Sequence, residues 1–426
     1  MLDLRYIREN PEAVAENCKN RGVVVDIGLV VGLADERSRL IQELNELKQR
    51  QNQLAKLVGR ERDPEARENL IADSRRTKEL IPENEAELAA VEGRLHEEML
   101  KIPNMTHPDA PIGRDEADNV EIRRVGEIPD FGFEPKDHVE IGELLGIIDF
   151  EAGTKVAGSK FYFLRKDAVL LELGLVRYAL DILIGHGYEP AITPDLARDE
   201  ALVGTGFIPR GPETQIYSIE DSDLSLIATA EITLAGSLAG GILDEEKLPI
   251  RLAGLSHCFR TEAGSHGRAS RGLYRVHQFT KVEMFAFTTP EQSEAMHEEM
   301  LRIEEEIFRG LGLPYRVVDI CTGDLGGAAY RKYDLEAWMP GRNAYGEVTS
   351  TSNTTDYQAR RLAIRYRKNG GGRPQLVHTL NGTAIAVSRT LIPILENYQQ
   401  PDGSIRLPEA LIPYVGKKVL EPAPPI

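Results

Sequence analysis

Cysteine is scarce in this sequence and never paired: Cys18, Cys258 and Cys321 stand far apart, with no CxxC and no Cys/His cluster at metal-ligand spacing. That excludes a disulfide framework and leaves no zinc site to expect, so reduced, buried thiols are the simplest reading. Long apolar runs are missing as well. No window offers about eighteen uninterrupted apolar residues, and the start, MLDLRYIRENPEAV, carries charges where a secretory signal needs an apolar stretch. No membrane contact is expected, and the cytoplasm is the default location. Positive charge is also in deficit: 51 Lys and Arg against 68 Asp and Glu give a net −17. Over the whole chain this argues against nucleic-acid binding, so any RNA contact must rest on a local basic patch.

What is present suits a globular protein of two or three domains: 426 residues, 41% hydrophobic and 28% charged. Residues 1–30 read as a short helix over Leu4–Glu9, broken near Pro11, and a second running to Arg21. From Leu33 the pattern changes. Leu33, Leu40, Leu44, Leu47, Leu54 and Val58 recur at 3–4 spacing, with Arg37 and Gln51 as the polar members of the seam. After a break at Gly59 and Asp63-Pro64, a second seam follows through Leu70, Ile81, Leu88, Val91, Leu95 and Ile102. Neither helix can bury so narrow a stripe alone, so the two must pack antiparallel as a long hairpin arm. Pro82 removes a backbone donor inside the second helix, where a kink or a restart is expected. Between Lys48 and Lys78 the arm carries nine basic and five acidic residues, a basic tip on an acidic protein. Such a stretch is either a solvated helix face or a site for phosphates.

The remaining chain mixes helices and strands. A Pro/Asp-rich linker runs through His107-Pro108 to Asn119, and Asp167–Gly185 holds a dense apolar run consistent with one buried helix ended at glycine. Gly187 to Pro194 reads as a strand entering a proline. The stretch from Ser256 to Phe285, SHCFRTEAGSHGRASRGLYRVHQFTKVEMF, reads as two strands joined by a long basic loop over Ala263–Leu273. Alternation puts Arg260 and Glu262 on one face of the first strand, and Arg275, His277, Phe279, Lys281, Glu283 and Phe285 on one face of the second. Arg, Glu and an aromatic side by side offer a phosphate partner, an amine partner and a stacking platform for a base. Thr229-Ala230-Glu231 alone reads as a capped helix start, and Thr349 to Thr355 as a Ser/Thr-rich loop preceding a helix.

The order Phe259-Arg260-Thr261-Glu262, Gly/Arg loop, His277-Gln278-Phe279, Lys281-Val282-Glu283 resembles the second signature motif of class II aminoacyl-tRNA synthetases. In detail it resembles the seryl-tRNA synthetase family. Pro135-Lys136-Asp137-His138 and Ile141-Gly142-Glu143 to Asp149-Phe150 are similar to the start of that family's catalytic domain. The helix, strand and proline of 167–194 resemble the first motif, and Asn381 to Arg389 within about 380–397 resembles the third, a strand turning through glycine into a helix that bears an Arg. The likeness spans essentially the whole chain.

The resemblance implies an α+β fold: an N-terminal tRNA-binding domain over 1–105, its arm at about 30–102, and a catalytic domain over 106–426 built on an antiparallel β-sheet flanked by helices. It implies a homodimer, formed through the first motif. It also implies serine activation by ATP to seryl-adenylate, then transfer to the 3′ end of tRNA(Ser), and of tRNA(Sec), gripped by the arm and by the loop of the second motif. On this reading Arg260, Glu347 and Arg389 are catalytic. Serine meets Thr229, Ala230, Glu231, Arg260, Glu283, Asn381 and Thr383. ATP meets Arg260, Thr261, Glu262, Val276, Phe279, Glu347, Val348, Thr349, Ser350 and Arg389, with Phe279 stacked on adenine opposite Arg389. Mg²⁺ sits on Glu347 and Ser350, whose hard oxygens suit it. Phe207, Ala384 and Ser388 depart from the family pattern, and Pro393 lies farther along the third motif's helix. Two rivals remain: a paralogue that loads a carrier protein, which the long arm disfavours, and a non-catalytic coiled-coil interaction protein, which the intact ATP motifs disfavour.

Overall fold

The computed structural model describes residues 1–208, 215–262 and 271–422. The chain forms two compact units, Met1–Met105 and Thr106–Ile426.

The first unit is helical: α1 (Leu4–Glu9), α2 (Pro11–Asn20), α3 (Ile27–Arg60) and α4 (Pro64–Lys101). Asp26 and Asp63 cap the two long helices by accepting from Leu29 N–H and Ala66 N–H, which satisfies donors that have no partner inside a helix. Contacts between α3 and α4 run in opposite senses, from Arg37–Glu92 through Lys48–Glu85 to Arg50–Asp73, which makes the pair antiparallel. Leu33, Leu40 and Leu54 of α3 and Val91 and Leu95 of α4 are all buried. Complete burial of Leu40 stabilises the seam by about 1.5–3 kcal/mol. The second seam is more polar than the apolar residues suggested. Thr77 and Asn84 are buried on it, and Ser74 accepts from Gln51 Nε2 at 3.2 Å, giving the polar position of α3 a partner. No restart occurs at Pro82, which lies inside a continuous α4.

The second unit is organised by an eight-stranded sheet. Its strands are β1 (Val120–Val125), β2 (Glu189–Ile192), β3 (Ile250–Phe259), β4 (Gln278–Thr288), β5 (Tyr315–Asp319), β6 (Arg331–Met339), β7 (Ala344–Thr355) and β8 (His378–Ala386). The spatial order is β1-β5-β6-β7-β8-β4-β3-β2, antiparallel throughout except for the β2–β3 pair at one edge. That edge position tolerates Pro190, which has no N–H to give to a ladder. Helices α5 (Asp167–Gly185), α7 (Ser293–Gly310) and α8 (Val387–Asn397) cover one face, and between them lie α5 residues Leu171 and Leu175, α7 residues Met300 and Phe308, and sheet residues Val282, Met284, Leu335 and Leu380. A short helix, α6 (Glu231–Gly236), packs with Phe285 and Phe287 of β4 in a smaller core.

Three expectations change. The first strand of the hairpin ends at Phe259 and the second begins at Gln278, so Arg260, Glu262, Arg275 and His277 belong to the loop, not to the strands. The Ser/Thr-rich segment is part of strand β7, as its β-branched Thr residues favour. The third motif does not turn at its glycine: Gly382 lies inside β8, where a Cβ would come within 3.0 Å of Met284 Cε and Thr351 Oγ1. Glycine serves close packing there, and the helix starts only at Val387. No helix among the described residues is long and apolar enough to cross a membrane, and all three cysteines are free and buried.

Candidate active site

The sheet face away from α7 carries a cavity of about 530 Å³. Two bulges build it. Residues 347 and 350 are three apart and would point to opposite faces of a regular strand. A register shift puts Leu335 opposite Thr349 but Glu336 opposite Glu347, leaving Val348 extra, so Glu347 and Ser350 both reach the cavity. In β8, Thr383 pairs with Glu283 and Ile385 with Val282, so Ala384 is the extra residue and Thr383 and Ala386 line one wall. The departure at Ala384 thus falls on a bulge, with its methyl fully buried in the main core.

Most of the expected residues come together here: Thr229, Glu231, Arg260, Glu262, Phe279, Glu283, Glu347, Val348, Thr349, Ser350, Asn381, Thr383 and Arg389 line the cavity. Three do not. Ala230 is packed in the smaller core, Val276 is buried, and Thr261 faces Gln215, whose carbonyl accepts its N–H at 3.0 Å. Phe207 does line the cavity, while the basic loop of the second motif over 263–270 lies outside the described residues. The lining also holds Gln215, Arg275, Lys281 and Lys332. Lys332 was legible in principle: β6 alternates Lys332, Asp334 and Glu336 on one face, a period-two signal of a charged surface.

Charge in the cavity is arranged in pairs. Arg389, in the first turn of α8, meets Glu347 at 3.0 Å, and its guanidinium lies 5.0 Å from the centre of the Tyr274 ring. Arg275 meets Glu262 at 3.2 Å. Glu262 itself has φ 50, a left-handed backbone that costs a non-glycine residue ~1 kcal/mol or more and is common at functional sites. Lys332 Nζ lies 2.9 Å from Asp334. Lys281 pairs with Glu283, which also accepts from the Thr383 hydroxyl at 3.2 Å. Arg260 lies over the Phe279 ring at 5.3 Å, and its Nε donates to the Ala228 carbonyl at 3.4 Å. Among the described residues five cations line the cavity, Arg260, Arg275, Lys281, Lys332 and Arg389, against the four carboxylates Glu231, Glu262, Glu283 and Glu347. On an acidic protein this is a local excess of positive charge, which suits a polyphosphate.

The environment splits the carboxyls. Burial works against the Glu347 anion, but Arg389, Lys332 and Arg260 outweigh it and hold the group down at about 2. About a third of its side chain remains exposed. Burial and then Glu283 push Glu231 up to about 7, against the pull of Gln358, Lys281 and Arg260. Glu231 Oε1 accepts from Asn381 Nδ2 at 2.9 Å and from Gln358 Nε2 at 2.6 Å. Burial raises Asp334 to about 7 despite Lys332, and raises the fully buried Glu304 of α7 well above the usual carboxylate range.

No group of three or more His, Cys, Asp or Glu side chains among the described residues is arranged to hold a metal. Glu347 and Ser350 offer an anionic and a neutral oxygen on one face, a partial set that fits Mg²⁺ shared with phosphate oxygens and water.

Comparison with known proteins supplies the family. Residues 216–398 match the family model of the tRNA synthetase class II core domain (G, H, P, S and T), and residues 1–106 match that of the seryl-tRNA synthetase N-terminal domain. The fold and its site therefore define a class II aminoacyl-tRNA synthetase. The chain is 75% identical over 423 residues to a serine–tRNA ligase of Rubrobacter xylanophilus, covering 99% of this chain and 100% of that protein. It resembles the crystal structure of seryl-tRNA synthetase from Pyrococcus horikoshii complexed with ATP, with TM-score 0.93, 42% identity and full coverage of both chains. A cytoplasmic serine–tRNA ligase from Naegleria fowleri in complex with AMP gives TM-score 0.85 at 36% identity, covering 99% of each chain. The chain belongs to the seryl-tRNA synthetase family. None of these relatives favours either rival reading.

Proposed function

We propose that this cavity performs both steps of serine–tRNA ligation: attack of the serine carboxylate on the α-phosphate of ATP to give seryl-adenylate and pyrophosphate, then transfer of the seryl group to the terminal ribose of tRNA. The observation that carries the reading is the gathering of Arg260, Arg275, Lys281, Lys332 and Arg389 with the carboxyls Glu231 and Glu283 in one cavity of a family member. The reaction needs no protein nucleophile, so rate comes from position and charge. Arg260 would hold the α-phosphate and the serine carboxylate. Arg389 would meet the outer phosphates, with Lys332 and Arg275 as further cations along the chain. Phe279 supplies the face for adenine, and Glu262 helps to hold the base. In this division of labour Glu231 takes the serine ammonium, aided by Thr229 and Asn381, and Glu283 with Thr383 takes the side-chain hydroxyl. Mg²⁺, held by Glu347 and Ser350, would neutralise charge between the phosphates.

The wider assembly follows the same reading. The helical unit would bind the tRNA through the basic part of its arm. A homodimer is supported by apolar side chains left in water: Val169, Leu170 and Leu173 of α5 and Ile192 of β2 are 42%, 43%, 61% and 85% exposed. Function in the cytoplasm agrees with three free, buried cysteines. The test is ATP–pyrophosphate exchange with a panel of amino acids, followed by charging of total tRNA. Serine is expected to support exchange best, and exchange with another amino acid alone would refute the reading.

A further inference from the structure

Behind the cavity wall one side chain ties three separate segments together. Gln358, in the short helix Tyr357–Arg361 that follows β7, is fully buried. Its Nε2 donates to Glu231 Oε1 at 2.6 Å and to the Thr205 carbonyl at 3.1 Å. Its Oε1 accepts from the Thr379 hydroxyl at 2.8 Å, while the Thr354 hydroxyl donates to the Thr379 carbonyl at 2.7 Å. A backbone carbonyl can only accept, so flipping the amide would set its oxygen against the oxygen of Thr205. The N–H that faces Glu231 is therefore fixed, whether or not that carboxyl is ionised.

We propose that Gln358 is a positioning residue that sets serine affinity: it holds Glu231 as an oriented acceptor for the substrate ammonium and ties that acceptor to the segment that carries Phe207 into the lining. The inference rests on the assignment of Glu231 to the substrate amine and deepens it. Gln358 does not itself line the cavity. Its effect is distinct from that of the other groups on Glu231, namely Asn381 Nδ2 of β8, Glu283 and Lys281 of β4, and Arg260 beyond β3. Asn381, Glu283, Lys281 and Arg260 all line the cavity and would meet substrate, whereas Gln358 acts on Glu231 from behind. A donor lost there leaves a buried carboxylate short of a hydrogen bond, and the neutral acid, which cannot hold an ammonium ion as well, gains.

The experiment measures serine and ATP parameters in pyrophosphate exchange between pH 6 and 8.5 for Gln358→Met and Gln358→Glu, each also made in a Glu231→Gln background. Both single variants are expected to raise the serine KM about 10- to 100-fold, with the ATP KM within about two-fold of wild type. The pH above which serine binds well should move upward in Gln358→Met, a readout that loss of packing would not change. In the Glu231→Gln background, Gln358→Met should add less than about two-fold, because the residue it acts through is already gone. Gln358→Glu has the same shape and carries the test if the Met variant does not fold. A wild-type serine KM in either single variant overturns the proposal, as does an equal fold-loss in both backgrounds. Failure of the Glu231 assignment reads differently: Glu231→Gln by itself would then keep the wild-type serine KM.

Discussion

The arm and the catalytic unit both pair their charges, but they do so in opposite surroundings. Arg37–Glu92 and Lys48–Glu85 on the arm have side chains 38% to 51% exposed, whereas Lys281–Glu283 in the cavity are 6% and 2% exposed. An exposed pair contributes about 0–1 kcal/mol and is screened by salt. A buried pair repays its desolvation only with good geometry, and removing one partner strands a charge at a cost of roughly 3–5 kcal/mol. The arm can therefore lose charges singly and change by degrees. In the cavity a lost ion strands a buried partner, as in Lys281–Glu283 and Arg389–Glu347, so an abrupt loss of function is expected there.

Breaking the cavity should give the largest effect. Arg260→Ala is expected to lower serine-dependent pyrophosphate exchange by at least ~10³-fold, since two anions lose their shared guanidinium. Circular dichroism should stay unchanged, because the backbone bond from Arg260 N–H to the His277 carbonyl at 3.0 Å is open to alanine as well. A well-folded variant that exchanges at the wild-type rate would remove this residue from the mechanism.

The arm should break differently. Replacing Gln51 to Glu79 by a short turn is expected to leave adenylate formation nearly intact while charging of tRNA falls by roughly 10²- to 10³-fold. Salt should also weaken tRNA binding less steeply in the shortened protein than in the full chain, because fewer phosphate counterions are released. Equal loss of both activities would contradict a separate recognition role for the arm.

These two regions also differed in how far the residues alone revealed them. The arm's apolar residues repeat locally, so its helices, break and pairing follow from period and proline position. The buried Thr77 and Asn84 escaped notice, since polar residues carry no signal on an apolar seam, and the proline rule misled at Pro82, which α4 runs through. In the catalytic unit the residues were named through family likeness, and their meeting was not legible from spacing. Glu347 and Ser350 have the wrong parity for one face until a bulge at Val348 is known. Gln358 reaches Glu231 across 127 positions of sequence and had no local mark, while Lys332 carried only the period-two signal of a charged strand face, which belongs to no motif.

A finer test separates the two carboxyls within the cavity. Glu283 accepts from Thr383 and is braced by Lys281, which suits it to read a substrate hydroxyl. Glu283→Ala should cut kcat/KM for serine about 100-fold and that for alanine far less, since alanine never made the contact. Exchange assays with serine, alanine and threonine on both proteins decide it. An unchanged ratio of serine to alanine efficiency would move hydroxyl recognition to another residue.

The smallest effect expected is a pH dependence that falls on Glu231 and spares Glu347. Burial and Glu283 raise the Glu231 carboxyl to about 7, while Arg389, Lys332 and Arg260 hold Glu347 at about 2 against burial. A raised carboxyl is an anion above its pKa and neutral below it. Serine keeps its ammonium charge throughout this range, so the attraction is present above about pH 7 and fades as pH falls through it. The serine KM should therefore rise by roughly ten-fold between pH 8 and pH 6, a span that takes a group of pKa near 7 from mostly ionised to mostly protonated. The ATP KM should move much less, because Glu347 keeps its charge over the same interval. For stability the sign is opposite. The folded protein holds the Glu231 proton more tightly than the unfolded chain does, so this group's contribution is fully present below about pH 4.5 and is lost as pH rises through about 7. Steady-state exchange at fixed ionic strength, with serine and ATP varied in turn, checks the binding prediction. A serine KM that stays flat from pH 6 to 8 would mean that Glu231 is already ionised at pH 6, and that Gln358, Lys281 and Arg260 together outweigh its burial.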